Sequence, residues 1–196
     1  MRDDLEKLKI YTNENNFTLK GAIHIGKYTT DVRSFYNLMN IHDTNIIWVD
    51  SQNRKTDNNM KIFSTTIDGL NTQDQFINEQ ICYLECCIDV PKLLISDINI
   101  NKSQTLSNFM IDNNFDPSEY NLWYFDCCGT ELQILKEAQN YLKYVDIIYT
   151  GVCSTDINNS IDLLPEIDNL LFLHQFKRVN IIQKDLFWCS AIYIRP

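Results

Sequence analysis

Apolar and polar positions along this chain fall into short blocks whose period switches between two and about three and a half. "GAIHIG" carries an apolar run from Ala22 to Ile25 closed by Gly26, and it reads as a buried strand. In "TTDVRSFYNLMNI" the residues Val32, Phe35, Tyr36, Leu38 and Met39 recur at helical spacing. An amphipathic helix is predicted there, capped by Thr29 or Thr30, with Asp31 in its first turn. "NIIWVD" returns to a β-branched and aromatic strand ending on Asp50, and "KIFSTTIDG" reads as a third strand closed by a turn at Asp68-Gly69.

The stretch from 70 to 112 is less regular. "TQDQFINEQICYLECC" fits either a helix or a loop followed by a strand, "KLLISDINI" fits a strand, and "SQTLSNFMIDNN" a short helix. The pattern then sharpens. "NLWYFD" is a strand, "TELQILKEAQNYLKY" a single helix, and "VDIIYTGV" a strand; "LPEIDNLLFLHQF" is a helix opened by Pro165. "FKRVNIIQKD" and "LFWCSAIYIRP" are two strands across a short turn, hence an antiparallel pair. The order predicts an α/β, Rossmann-like fold: a mostly parallel sheet, helices on both faces and a C-terminal antiparallel hairpin. Residues 1–196 read as one domain, with 1–17 as a polar arm or helix.

Such sheets bind ligands beyond the carboxyl ends of their strands. Gly26, Asp50 with Ser51, Asp68 and Asp126 stand at those ends. Asp50 follows Gly26 by 24 positions, close to the ~20-residue interval at which nucleotide folds place an acid on ribose hydroxyls. A capping role for Asp50 stays open beside that one. No G-x-G-x-x-G, Gly-Lys-Ser/Thr or G-x-S-x-G pattern occurs, so nothing cradles a pyrophosphate and no serine-hydrolase elbow exists. A nucleoside-type ligand without pyrophosphate fits best.

Charge narrows the partners. A formal net charge of -9 argues against general nucleic-acid binding, which depends on Lys and Arg neutralising phosphates. No apolar run reaches the roughly 20 residues of a membrane span, and the first residues lack a signal-peptide core, so a cytoplasmic protein is expected. Seven cysteines include no Cys-x-x-Cys pair, and three histidines are scattered, which disfavours zinc. Cys127 and Cys128 read as packing residues in a tight turn. His24 alternates with Ile23 and Ile25, where a hydrogen-bonded histidine beside the cleft is the first expectation. His174 reads as a helix-end or core residue and Glu131 as a first-turn acid favouring the helix dipole.

Five blocks, "GAIHIGKYTTDVRSFY", "NIIWVDSQ", "QTLSNFM", the stretch 121–152 and "EIDNLLFLHQFKRV…FWCSAIYIR", resemble in order those of the FkbM-type methyltransferases. Sheets closed by a final antiparallel strand are also typical of methyltransferases that use S-adenosyl-L-methionine (SAM). The resemblance implies O-methyl transfer from SAM to a sugar, sugar-nucleotide or other hydroxylated small molecule. It further implies Asp126 as the catalytic residue, and His24, Gly26, Lys27, Tyr28, Asp31, Asp50, Ser51 and Asp68 about the cofactor. The chain departs from the family at several ligand-side positions. Lys27 and Tyr28 replace smaller or imidazole groups, Thr30 a second glycine, Cys128 a glutamine and Gly151 a glutamate. The alternative reading is a methyltransferase-fold protein without catalysis, serving as a binding or scaffolding module. A cap-type 2′-O-methyltransferase would need a Lys-Asp-Lys-Glu set that Lys27, Asp126, Lys136 and Lys143 do not obviously supply.

Overall fold

The computed structural model describes residues 3–26, 30–49, 61–63, 66–67, 103–127, 129–153, 164–184 and 188–196. Within them the main sheet uses strands β1 (Ala22–Gly26), β2 (Ile46–Val49), β3 (Lys61–Phe63), β6 (Leu122–Asp126), β7 (Ile147–Cys153), β8 (Lys177–Gln183) and β9 (Trp188–Ile194). Their spatial order is β3-β2-β1-β6-β7-β9-β8. All neighbours are parallel except β9, which runs antiparallel to both β7 and β8. This is a Rossmann-like α/β sheet with a C-terminal antiparallel hairpin, as the block order predicts.

Alternation along the strands sorts the core into two layers. Ile23, Ile25, Ile47, Val49, Trp123 and Phe125 point to one face, where they pack with α3 (Leu106–Asp112), α4 (Glu131–Glu137) and α5 (Leu164–Leu173). Trp48, Tyr124, Tyr149 and Ile192 point to the other, under α1 (Asp3–Glu14) and α2 (Thr30–Leu38). On this second face an aromatic ladder crosses four neighbouring strands. Trp48 lies against the His24 ring, His24 stacks on Tyr124 at 4.4 Å, and Tyr124 stacks on Tyr149 at 4.2 Å. Parallel register makes the ladder possible, since His24 pairs with both Trp48 and Tyr124, and Tyr124 pairs with Tyr149.

Four helices end in one way. Asn16, Asn40, Asn114 and Gln175 have positive φ, and the residue after each returns its N–H to a carbonyl five positions earlier. That is the Schellman closure, here with Asn or Gln where glycine is usual and with an apolar residue, Phe17, Ile41, Phe115 or Phe176, just beyond.

Two expected elements differ. The third strand is divided: Lys61–Phe63 pairs with β2, whereas β4 (Thr66–Ile67) pairs with β5 (Ser103–Gln104) in a separate ladder. The long helix expected from Thr130 to Tyr144 is α4 followed by a 3-10 stretch, Gln139–Tyr144. Ala138, Leu142 and Val145 stay buried through the change, so the tightened winding keeps the apolar face on the sheet as the chain turns into β7.

Candidate active site

Strand order reverses between β1 and β6: from β1 the sheet proceeds to β2 and β3, from β6 to β7 and β9. Gly26 and Asp126 pair in register at the carboxyl ends of these two strands, so they flank the crevice such a reversal opens. Gly26 has φ +138°, and a Cβ there would lie 2.6 Å from the Asp126 carbonyl oxygen. Both facts require glycine, since the backbone of Asp126 occupies the place a side chain would take. The Trp48 indole donates to the Gly26 carbonyl at 3.2 Å, which fixes the peptide from the β2 side.

Across the crevice the chain turns sharply after Asp126. Glu131, almost fully buried, accepts the Cys127 N–H at 2.9 Å on one carboxylate oxygen and the Gly129 N–H at 2.7 Å on the other. Gly129 takes φ +114° within this turn. Thr130, the residue before the helix, makes no capping bond with its side chain. The helix acid expected to favour the dipole therefore does more: it ties the turn behind Asp126 to α4. The Cys127 thiol donates to the Ile25 carbonyl at 3.4 Å, joining the turn to β1. This is the packing role expected for that cysteine, while Cys128 lies outside the described residues.

Asp126 is half-buried, and its carboxylate leans over β7. A Cβ on Gly151 would be 3.4 Å from Asp126 Oδ1 and 3.9 Å from Glu131 Oε1. The missing side chain at 151 thus leaves room directly beside the carboxylate. Asp31 is exposed in the first turn of α2, as expected. His24 is fully buried two residue pairs behind the Gly26–Asp126 pair, with Nδ1 3.0 Å from the Tyr36 hydroxyl, the hydrogen-bonded placement expected first. Burial drives the Tyr36 phenol well above its ordinary range, with Tyr124 adding to the effect. Lys27, Tyr28, Asp50, Ser51 and Asp68 lie outside the described residues.

The contacts of Trp48 and the backward reach of Glu131 escape a sequence reading because both are tertiary. Among the described residues no group of three or more His, Cys, Asp or Glu is arranged to hold a metal. No described helix is long and apolar enough to cross a membrane.

No protein-family model matches the chain, and no curated protein matches it. A solved structure that it resembles is a protein of the NADB-Rossmann superfamily from Streptococcus agalactiae, 10% identical, with a TM-score of 0.42 over 100% of this chain and 68% of that one.

Proposed function

We propose that this chain is a SAM-dependent O-methyltransferase of FkbM type, acting on a hydroxylated small molecule such as a sugar or sugar-nucleotide. The observation that carries the reading is the Gly26–Asp126 pair at the reversal of strand order, an obligatory glycine at the end of one strand and a carboxylate at the end of the other. The strand order, with an antiparallel strand inserted between β7 and β8, is the arrangement typical of such enzymes, and the resembling sequence blocks follow it element by element.

A nucleoside-type cofactor would lie against the Gly26 end of β1, where no side chain projects from the backbone. Asp50 would take the ribose hydroxyls, with Ser51, Asp68, Lys27, Tyr28 and Asp31 around it, and His24 bracing β1 from behind. When bound, SAM would supply an activated methyl group. Asp126 orients the acceptor hydroxyl and takes its proton, since transfer to oxygen depends on alignment and on removing that proton. Glu131 holds the turn so that the Asp126 carboxylate stays over β7, and Gly151 leaves the acceptor room beside it.

Calorimetric titration with SAM and S-adenosylhomocysteine, with Asp50→Ala as control, tests the reading. Micromolar binding abolished by the substitution supports it and justifies an acceptor screen in which Asp126→Asn loses turnover. Folded protein that gives neither heat nor thermal shift at millimolar ligand would overturn it in favour of a non-catalytic methyltransferase-fold module.

A further inference from the structure

A second concave feature lies at the opposite edge of the sheet. Its place follows from register: Tyr193 of β9 pairs with Ile148 near the start of β7, whereas Gly151, beside Asp126, pairs with Ser190. The groove there encloses about 570 Å³ between the end of α5 and the start of β8. Phe176 forms a buried floor, and Phe172 stands at the side with 76% of its surface exposed. Leu173, next to it, is 77% exposed. Large apolar side chains this exposed, side by side and next to a groove, mark a contact surface.

Charge identifies what the groove would accept. Lys177 and Arg178 line it, and Asp168 is the single acid among its described lining residues, in a chain of net charge -9. Asp168 is occupied by Arg178 at 2.5 Å and by the Tyr193 hydroxyl at 2.8 Å. The local sign is therefore opposite to that of the whole molecule. Gln175 adds an independent observation. Three other helices close with asparagine at this left-handed position, yet here a longer amide is held at φ +67° with its side chain on the groove. A strained residue kept at a concave surface points to a use for its side chain.

We propose that this groove docks a segment of another protein in which an aromatic or aliphatic anchor is flanked by acidic residues. The anchor packs between Phe172 and Phe176, the flanking carboxylates meet Lys177 and Arg178, and Gln175 bonds the segment's backbone. The crevice at Asp126 stays open when the groove is filled.

Two labelled synthetic peptides test this by fluorescence polarisation: one with phenylalanine between aspartates and glutamates, the other with lysines in place of those acids. The acidic peptide should bind and weaken as salt rises, and the basic one should not. Phe172→Ser and Lys177→Glu should each weaken binding about tenfold with unchanged circular dichroism. Gln175→Gly should weaken it while the fold grows more stable. Amide shifts confined to 172–178 on titration would place the peptide as inferred. Equal binding of both peptides, no binding at millimolar peptide, or indifference to all three substitutions would overturn the proposal. So would a dimer in sedimentation that Phe172→Ser dissolves, since the occupant would then be a second copy.

Discussion

Gly26 and Asp126 sit opposite one another in register, so closely that a Cβ on the glycine would lie 2.6 Å from the aspartate's carbonyl oxygen. The two strands that share this pair lead to opposite halves of the sheet, β1 to the β2 side and β6 to the β7 side. The glycine and the carboxylate that flank the crevice are thus products of one strand pairing. Changes to the pairing and changes to the chemistry can be separated by substituting different glycines.

Gly26→Ala should be severe. It forces an L side chain to φ +138° and against backbone that cannot move aside. A loss of about 2–3 kcal/mol in urea unfolding is expected, together with loss of nucleoside binding. Gly151→Ala is the contrast. Its Cβ would meet Asp126 Oδ1 at 3.4 Å, an ordinary contact, so stability should hold while acceptor binding weakens. Equal stability losses in the two variants would contradict this division.

Glu131→Gln should cost about 2–3 kcal/mol, since the turn after Asp126 loses a charge-assisted bond and one N–H is left facing an amide nitrogen. If Glu131 acts through Asp126, the variant should also lower turnover more than cofactor affinity. Unfolding curves and a calorimetric titration separate the two effects.

Most of the fold was legible because β1, β2, β6 and β7 are apolar on both faces, as parallel strands buried between helix layers must be. The hairpin was legible from its short polar turn. Other features were not. The division of "KIFSTTIDG" between two ladders depends on which partners the chain meets, and the hydrophobic pattern is the same for either outcome. The 3-10 winding of Gln139–Tyr144 has no glycine or proline to announce it. In the candidate site the strand-end residues Gly26 and Asp126 could be read from position alone. The braces behind them could not, since Trp48 reaches Gly26 across a strand pair and Glu131 reaches back across a turn. The helix ends carry one further readable signal. Asparagine followed by an apolar residue closes three helices, at Asn16-Phe17, Asn40-Ile41 and Asn114-Phe115.

Alkaline pH should destabilise the fold through its buried phenols. Burial raises Tyr36 well above 10.0, and burial with the bond to Asp168 raises Tyr193. Folding thus holds both neutral where the unfolded chain would ionise them. Their contribution is complete below pH 10 and is lost progressively as pH rises beyond it, toward the raised folded-state values. Each should add about 1.4 kcal/mol of lost stability per pH unit in that range. In Tyr36→Phe, melting followed from pH 8 to 11.5 should show a shallower alkaline decline than wild type; an unchanged decline would assign the effect elsewhere.

Gln175→Gly should stabilise the protein. At φ +67° the Gln175 Cβ crowds its own backbone, a cost of about 1 kcal/mol that glycine does not carry. Glycine also gives the unfolded chain more freedom, which offsets part of the gain. The closing bonds, Gln175 N–H to Phe172 O at 3.0 Å and Phe176 N–H to Leu171 O at 3.0 Å, are backbone only and survive the change. A rise of about 2–3 °C in melting temperature is expected for a chain of this size. Asn114→Ala, in the same motif, should move the other way, because it gives up a residue that tolerates the left-handed region for one that does not. Scanning calorimetry on the two variants reads both signs, and a fall for Gln175→Gly would mean that the glutamine side chain stabilises the closure by more than its backbone strain costs.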